Sequence, residues 1–119
     1  MFSDRVLETS TSTGNSTITL AGARTGYETF NTAFGTTVPF YYVIVGVDAN
    51  DVPTGEWEVG IGSLSASTTL VRDVILQSSN SDAVVTLSAG TKLVFSDLPA
   101  TPLKMQNVYN ILNNPMVQL

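Results

Sequence analysis

Phe40-Tyr41-Tyr42-Val43-Ile44-Val45-Gly46-Val47, followed after a polar turn by Glu56-Trp57-Glu58-Val59-Gly60-Ile61-Gly62, are the two runs that point to a fold class. The first is β-branched and aromatic, too short for a typical globular helix, and bounded by Pro39 and by Asp48-Ala49-Asn50-Asp51. It reads as a buried strand. The second alternates without a break, so successive side chains point to opposite faces. Trp57, Val59 and Ile61 are expected in the core, and Glu56 and Glu58 on the solvated face. Pro53-Thr54-Gly55 supplies the turn signal between the two runs.

Further strands are expected on either side. Arg5 to Leu20 alternates around Thr13-Gly14-Asn15, which predicts a hairpin with strands near 5–11 and 16–21. Tyr27, Phe30, Ala33 and Phe34 have helical spacing, so one short helix is expected near 27–34, closed by Gly35. After a turn at Ser65-Ala66-Ser67, the run 69–76 reads as a strand, 78–82 as a loop, and 83–88 and 91–96 as strands joined at Ala89-Gly90. Strands separated by Gly, Asn and Ser turns, with no helices between them, predict a mainly β fold, a small antiparallel sandwich or barrel.

The pattern changes after Pro99. Met105, Val108, Tyr109 and Leu112 fall at i, i+3, i+4 and i+7, and Asn113-Asn114-Pro115 stops the run. The organisation expected is therefore a β-domain over 1–100 and a C-terminal helical or extended arm over 101–119. The arm either docks on its own domain or lies on a neighbouring subunit, and the second is the expectation taken forward. Its contact residues would be Leu103, Met105, Val108, Tyr109, Leu112, Met116 and Leu119.

Composition narrows the function. Of 119 residues, 43% are hydrophobic and 13% charged, a charged share about half that of an average soluble protein. Charge keeps proteins apart in solution, so a surface this poor in it suits a chain covered by other subunits, a homo-oligomer among them. The net charge is -5, and Arg5, Arg24, Arg72, Lys92 and Lys104 stand singly. Nucleic-acid binding relies on clustered cations, so no direct nucleic-acid role is expected. No apolar run approaches the roughly 18 residues of a membrane-spanning helix, and no membrane partner is expected. Cys and His are both absent. Thiolate chemistry, the usual zinc ligands and every Ser-His triad are excluded together.

The remaining motifs have plain explanations. Glu56 and Glu58, two apart on a strand, would place their carboxylates about 7 Å apart, but strand alternation already accounts for them. Asp48, Asn50 and Asp51 begin like a calcium loop, which Val52 and Pro53 then break. Gly60-Ile61-Gly62 is too short for a dinucleotide fingerprint and inside a strand suggests a bulge or a close backbone neighbour. Asn15-Ser16-Thr17 matches a glycosylation sequon but sits in the expected hairpin turn. Tyr27, Tyr41, Tyr42 and Trp57 could form an aromatic platform, which makes a carbohydrate-binding module the alternative from another class. Tyr41 and Tyr42 point to opposite faces, and Trp57 is expected in the core. No enzyme activity, cofactor or metal is expected.

Several segments also carry a resemblance: Asp4-Arg5-Val6-Leu7-Glu8-Thr9, Thr19-Leu20-Ala21-Gly22-Ala23, Gly26-Tyr27-Glu28-Thr29-Phe30, Glu56 to Gly62, Leu76-Gln77-Ser78-Ser79-Asn80, Ser88-Ala89-Gly90-Thr91-Lys92, Val94-Phe95 and Leu98-Pro99-Ala100. In that order, from about Ser3 to Ala100, the chain resembles a β-rich module of tailed-bacteriophage and prophage structural proteins, found at the virion-anchoring end of tail-fibre or appendage proteins. The resemblance implies a non-catalytic virion component, assembled in the host cytoplasm against capsid, portal, tail or fibre subunits. Members often continue into a long shaft, whereas 101–119 is short. The expectation is an attachment or adaptor component, with capsid decoration as the alternative.

Overall fold

The computed structural model describes residues 5–96. The expected arm over 101–119, with Leu103, Met105, Val108, Tyr109, Leu112, Met116 and Leu119, lies outside the described residues. In chain order the elements are β1 (Leu7–Ser10), β2 (Ile18–Thr19), α1 (Phe30–Phe34), β3 (Phe40–Val47), β4 (Pro53–Ala66), β5 (Thr69–Ser78) and β6 (Lys92–Phe95). They form one six-stranded sheet in the order β1-β6-β3-β4-β5-β2. Every pairing is antiparallel.

The sheet curls until its two edges almost meet. The chain just after β2 runs along β1: Ala21 N donates to Thr9 O at 2.7 Å, Arg24 N to Leu7 O at 3.1 Å and Thr9 N to Gly22 O at 3.3 Å. Ser10 Oγ adds a bond to Thr19 O at 2.8 Å. An edge strand exposes unpaired backbone groups, and this near-closure satisfies many of them. The mainly β, barrel-like architecture is thus the one expected from the strand pattern.

Its interior is a single apolar cluster that includes Ile18, Phe40, Tyr42, Ile44, Leu64, Leu70 and Val94. Helix α1 packs onto it through Phe30 and Phe34, whose rings each lie 4.8 Å from that of Phe40. The helix is shorter than expected because Thr29 caps it, accepting from Thr32 N at 3.0 Å. Tyr27 therefore lies outside it and is 46% exposed.

Three expectations are corrected. The segments 5–11 and 16–21 form no mutual hairpin ladder: β1 pairs with β6 and β2 with β5. Local alternation set the faces of both strands, but their strand partners lie far along the chain. The segment 83–88 is not a strand; it holds isolated bridges at Ala83 and Leu87 and is tied down by side chains instead. Finally, the faces of β4 are inverted. Glu58, Gly60, Gly62 and Leu64 are buried, while Val59 and Ile61 are half-buried and Trp57 is 37% exposed.

The inversion has a steric cause. Tyr42 lies opposite Gly60 in the ladder and is fully buried. A Cβ on Gly60 would come within 2.7 Å of the Tyr42 hydroxyl and 2.3 Å of Val74 O; one on Gly62 would come within 2.5 Å of Val71 O. Real Cβ atoms do not approach that closely, so these glycines give the tyrosine ring its room, beside bulges in the β4–β5 ladder.

Candidate functional site

Several charged side chains point into the barrel. Glu58 accepts four hydrogen bonds: Oε2 from Tyr42 Oη at 2.6 Å and Arg72 Nε at 2.8 Å, Oε1 from Arg72 Nη2 at 2.5 Å and Val85 N at 2.9 Å. The side chains of the ion pair are 2% and 0% exposed for Arg72 and Glu58. Arg72 also donates to Val85 O at 2.6 Å and to Gly14 O and Ser16 O at 3.2 Å each. All five donors of its guanidinium are thus engaged. Burial alone would raise the Glu58 carboxyl, but the Arg72 fork, the Tyr42 hydroxyl and the Val85 N–H hold it below the usual carboxylate range. Burial and the neighbouring Glu58 push the Tyr42 phenol well above its ordinary value.

Two more buried charges do similar work. Lys92 Nζ donates to Ser12 O at 2.7 Å, to Gly90 O at 2.9 Å and to Ser88 O. Glu8 accepts from Phe30 N at 2.8 Å and Gly22 N at 3.2 Å. Burial dominates at both, lowering the Lys92 pKa and raising that of Glu8. Glu56 is taken up by Ser88, whose Oγ lies at 2.6 Å and whose N–H lies at 3.1 Å. These side chains hold the irregular segments 12–16, 22–30 and 83–90 onto the strands. None presents an open donor or acceptor to a substrate: among the described residues, no buried side-chain nitrogen or oxygen lacks a hydrogen-bond partner.

The other acidic residues singled out in the sequence are likewise engaged. Asp48 Oδ1 accepts from Asn50 N at 2.8 Å and Val52 N at 3.0 Å, closing the β3–β4 turn. Asp51 pairs with Arg24 at 2.8 Å. Glu56 and Glu58 share the inward side of β4 but serve different ties. Among the described residues, no group of three His, Cys, Asp or Glu is placed to hold a metal ion.

The outward side of the barrel is of opposite character. The ladders align Leu7, Phe95, Val43 and Val59 in one row across β1, β6, β3 and β4, and Thr9, Leu93, Val45 and Trp57 in the next. A third row places Tyr41, Ile61 and Val74 across β3, β4 and β5. No position in these rows is charged. Val74 is 46% exposed and the β3 members Tyr41, Val43 and Val45 are half-buried. Four strands about 4.8 Å apart make a patch roughly 14 Å across. Two hollows indent it. One, about 330 Å³, has Leu7, Leu93 and Phe95 as its floor and Tyr27 as a wall; the other, about 200 Å³, lies between Pro39, Tyr41 and Ile61. Arg5 leans over the Tyr27 ring at 5.3 Å.

This face is the candidate functional surface; of its residues the sequence pointed only to Tyr27, Tyr41 and Trp57, as a possible aromatic platform for sugars, and to none as a protein-contact residue. A signal was available. Phe40 to Val47 is apolar at every position, the pattern of a strand covered on both faces. The barrel interior covers Phe40, Tyr42 and Ile44, whereas Val43 and Val45 on the outward side are half-buried. Comparison with protein-family models, curated proteins and solved structures returns no match for this chain.

Proposed function

We propose that this chain is a non-catalytic structural protein of a tailed-bacteriophage virion, an attachment or adaptor component for tail fibres or appendages. The observation that carries the reading is the uncharged apolar face across β1, β6, β3 and β4. A contiguous apolar patch of this kind is characteristic of surfaces that other proteins cover. The interior charges support a structural role, because each is consumed in fastening a loop to the barrel. The ordered series of segments from Asp4 to Ala100 that resembles phage anchoring modules supplies the virion setting.

A sugar-binding role is less well supported by the surroundings of the exposed aromatics. Sugar recognition needs polar groups beside the stacking ring. Across β1, β6 and β3 the row of Trp57 offers one hydroxyl, that of Thr9 three strands away, and the neighbouring Ser79 hydroxyl is engaged with the Trp57 backbone, accepting from its N–H at 3.1 Å and donating to its O at 3.3 Å.

Virions purified from the strain that carries the gene provide the test, with gold-labelled antibody against the chain. Labelling at the tail or its appendages is expected. Labelling over the head surface would favour capsid decoration, and absence from virions would overturn the reading. Val45→Lys, placed at the centre of the face, should reduce incorporation at least tenfold while leaving a cooperatively folded chain.

A further inference from the structure

We propose that the outward apolar face receives the segment 101–119 of a neighbouring copy of the same chain. This rests on the assembly reading above and names what covers the surface. The rows of the face hold no charged residue, with Arg5 at their margin over Tyr27, and nearly all of the candidate occupant is uncharged as well: Lys104 is the single charged residue of 101–119, whereas all ten acidic residues of the chain precede it. Met105, Val108, Tyr109 and Leu112 would form one stripe if the segment is helical, about 10 Å from first to last at 1.5 Å per residue. That length fits within a patch four strands wide. The two hollows, beside Phe95 and beside Tyr41, offer seats for large side chains from the stripe.

The exit point of the chain favours a neighbour over the same barrel. Ser96, the last described residue, is bound to Tyr41 O through its Oγ at 2.8 Å and to Val6 O through its N–H at 3.4 Å. It therefore leaves on the Phe95 side of the face, away from Leu93 and Trp57. To cover the rows through Phe95 and Leu93 on its own barrel the chain would have to reverse. The sequence that follows is Asp97-Leu98-Pro99-Ala100-Thr101-Pro102. Each proline fixes its own φ and drives the residue before it toward extended backbone. Four of these six positions are thus biased against the tight reversal that covering the same barrel would require, whereas reaching a neighbouring copy requires none.

The absence of cysteine makes a direct test simple, because any introduced thiol is unique. Full-length chain bearing Val59→Cys is mixed with a mass-tagged full-length chain bearing Val108→Cys, and a short bis-maleimide is added. The expected result is a mixed dimer with the cross-link between the two introduced residues, at least tenfold above an Asn31→Cys control on α1. The double variant Val59→Cys/Val108→Cys is run alone over a dilution series. A cross-linked monomer that persists on dilution, with no mixed dimer, would show that the segment covers its own barrel and would overturn the proposal. No product in either arm would overturn it too. Should Val59→Cys lose its cooperative thermal transition, Val45→Cys takes its place one row away. The readout needs only purified chain, so loss of the virion reading would leave it unaffected, and its own failure would leave virion incorporation open.

Discussion

At the scale of single residues, the Glu58–Arg72 pair explains why a strand that looks amphipathic in one sense folds in the other. Alternation from Glu56 to Gly62 gave the period of β4 without saying which face turns inward, and the usual preference for apolar interiors pointed the wrong way. Three features outweighed it: a cation on β5 able to satisfy the Glu58 carboxylate, the Tyr42 hydroxyl as a second donor, and two glycines where the Tyr42 ring needs space. Of these, only the glycines lie on β4, where they suggest a close neighbour without naming it; the cation and the hydroxyl belong to other strands. Removing one member of a buried pair leaves the other charge uncompensated, at a cost of about 3–5 kcal/mol. Arg72→Met should therefore destabilise the barrel by about that amount in chemical denaturation, and it also frees Gly14, Ser16 and Val85. Glu58→Gln combined with Arg72→Met should recover part of the loss, since no bare charge remains. A double variant as unstable as the sum of the two singles would show that the side chains act independently.

Among the elements, what was legible and what was not divides along range. β3, β4 and β5 follow one another through short turns, and their existence and order could be read from apolar runs and turn residues. The partners of β1 and β2 could not, because a period-two pattern records the faces of a strand and not its neighbour. Segment 83–88 failed for a related reason. Val85 and Leu87, two apart and both buried, suit one face of a strand, yet Val85 bonds to Glu58 and Arg72 in place of a ladder. The barrel seam depends on a similar use of side chains. Ser10 Oγ donates to Thr19 O and accepts from Ser12 N at 3.1 Å, while Ser12 Oγ accepts from Thr19 N at 2.8 Å. Ser10→Ala removes two of these bonds at a buried position and should cost about 1–3 kcal/mol. The loss should be local, so hydrogen exchange at Thr19 and Ala21 is expected to accelerate before that of β3 and β4. Uniform acceleration across the sheet would mean that the seam is not a separate opening unit.

For the whole molecule, two buried carboxylates give stability opposite dependences on pH. Glu58 titrates below its unfolded value, so its contribution is present above the ordinary carboxylate range and is lost as pH falls through its folded pKa. Glu8 titrates above its unfolded value, because burial outweighs the two N–H donors, so its contribution is present in acid and is lost as pH rises through its folded pKa. Melting temperature should thus decline from the ordinary carboxylate range toward neutrality. Glu8→Gln should flatten that decline while lowering stability overall, since one backbone donor would then face an amide NH2; an unaltered slope would clear Glu8 of the effect. Assembly is the other property of the whole chain, and its single tryptophan lies in the face proposed to be covered. Trp57 is 37% exposed in the isolated barrel, and a tryptophan that becomes buried emits at shorter wavelength. Raising the concentration of full-length chain should therefore shift its emission to the blue in step with the increase in mass seen by sedimentation. Interface tryptophans are enriched among the residues that contribute about 2 kcal/mol or more, so Trp57→Ala should weaken association about thirtyfold. Val45→Lys, which leaves the tryptophan in place but sets a charge beside it, should keep the emission at its dilute position at every concentration. If mass rises while emission stays constant, the copies associate through some other surface, and the apolar rows from β1 to β4 remain open to a different protein.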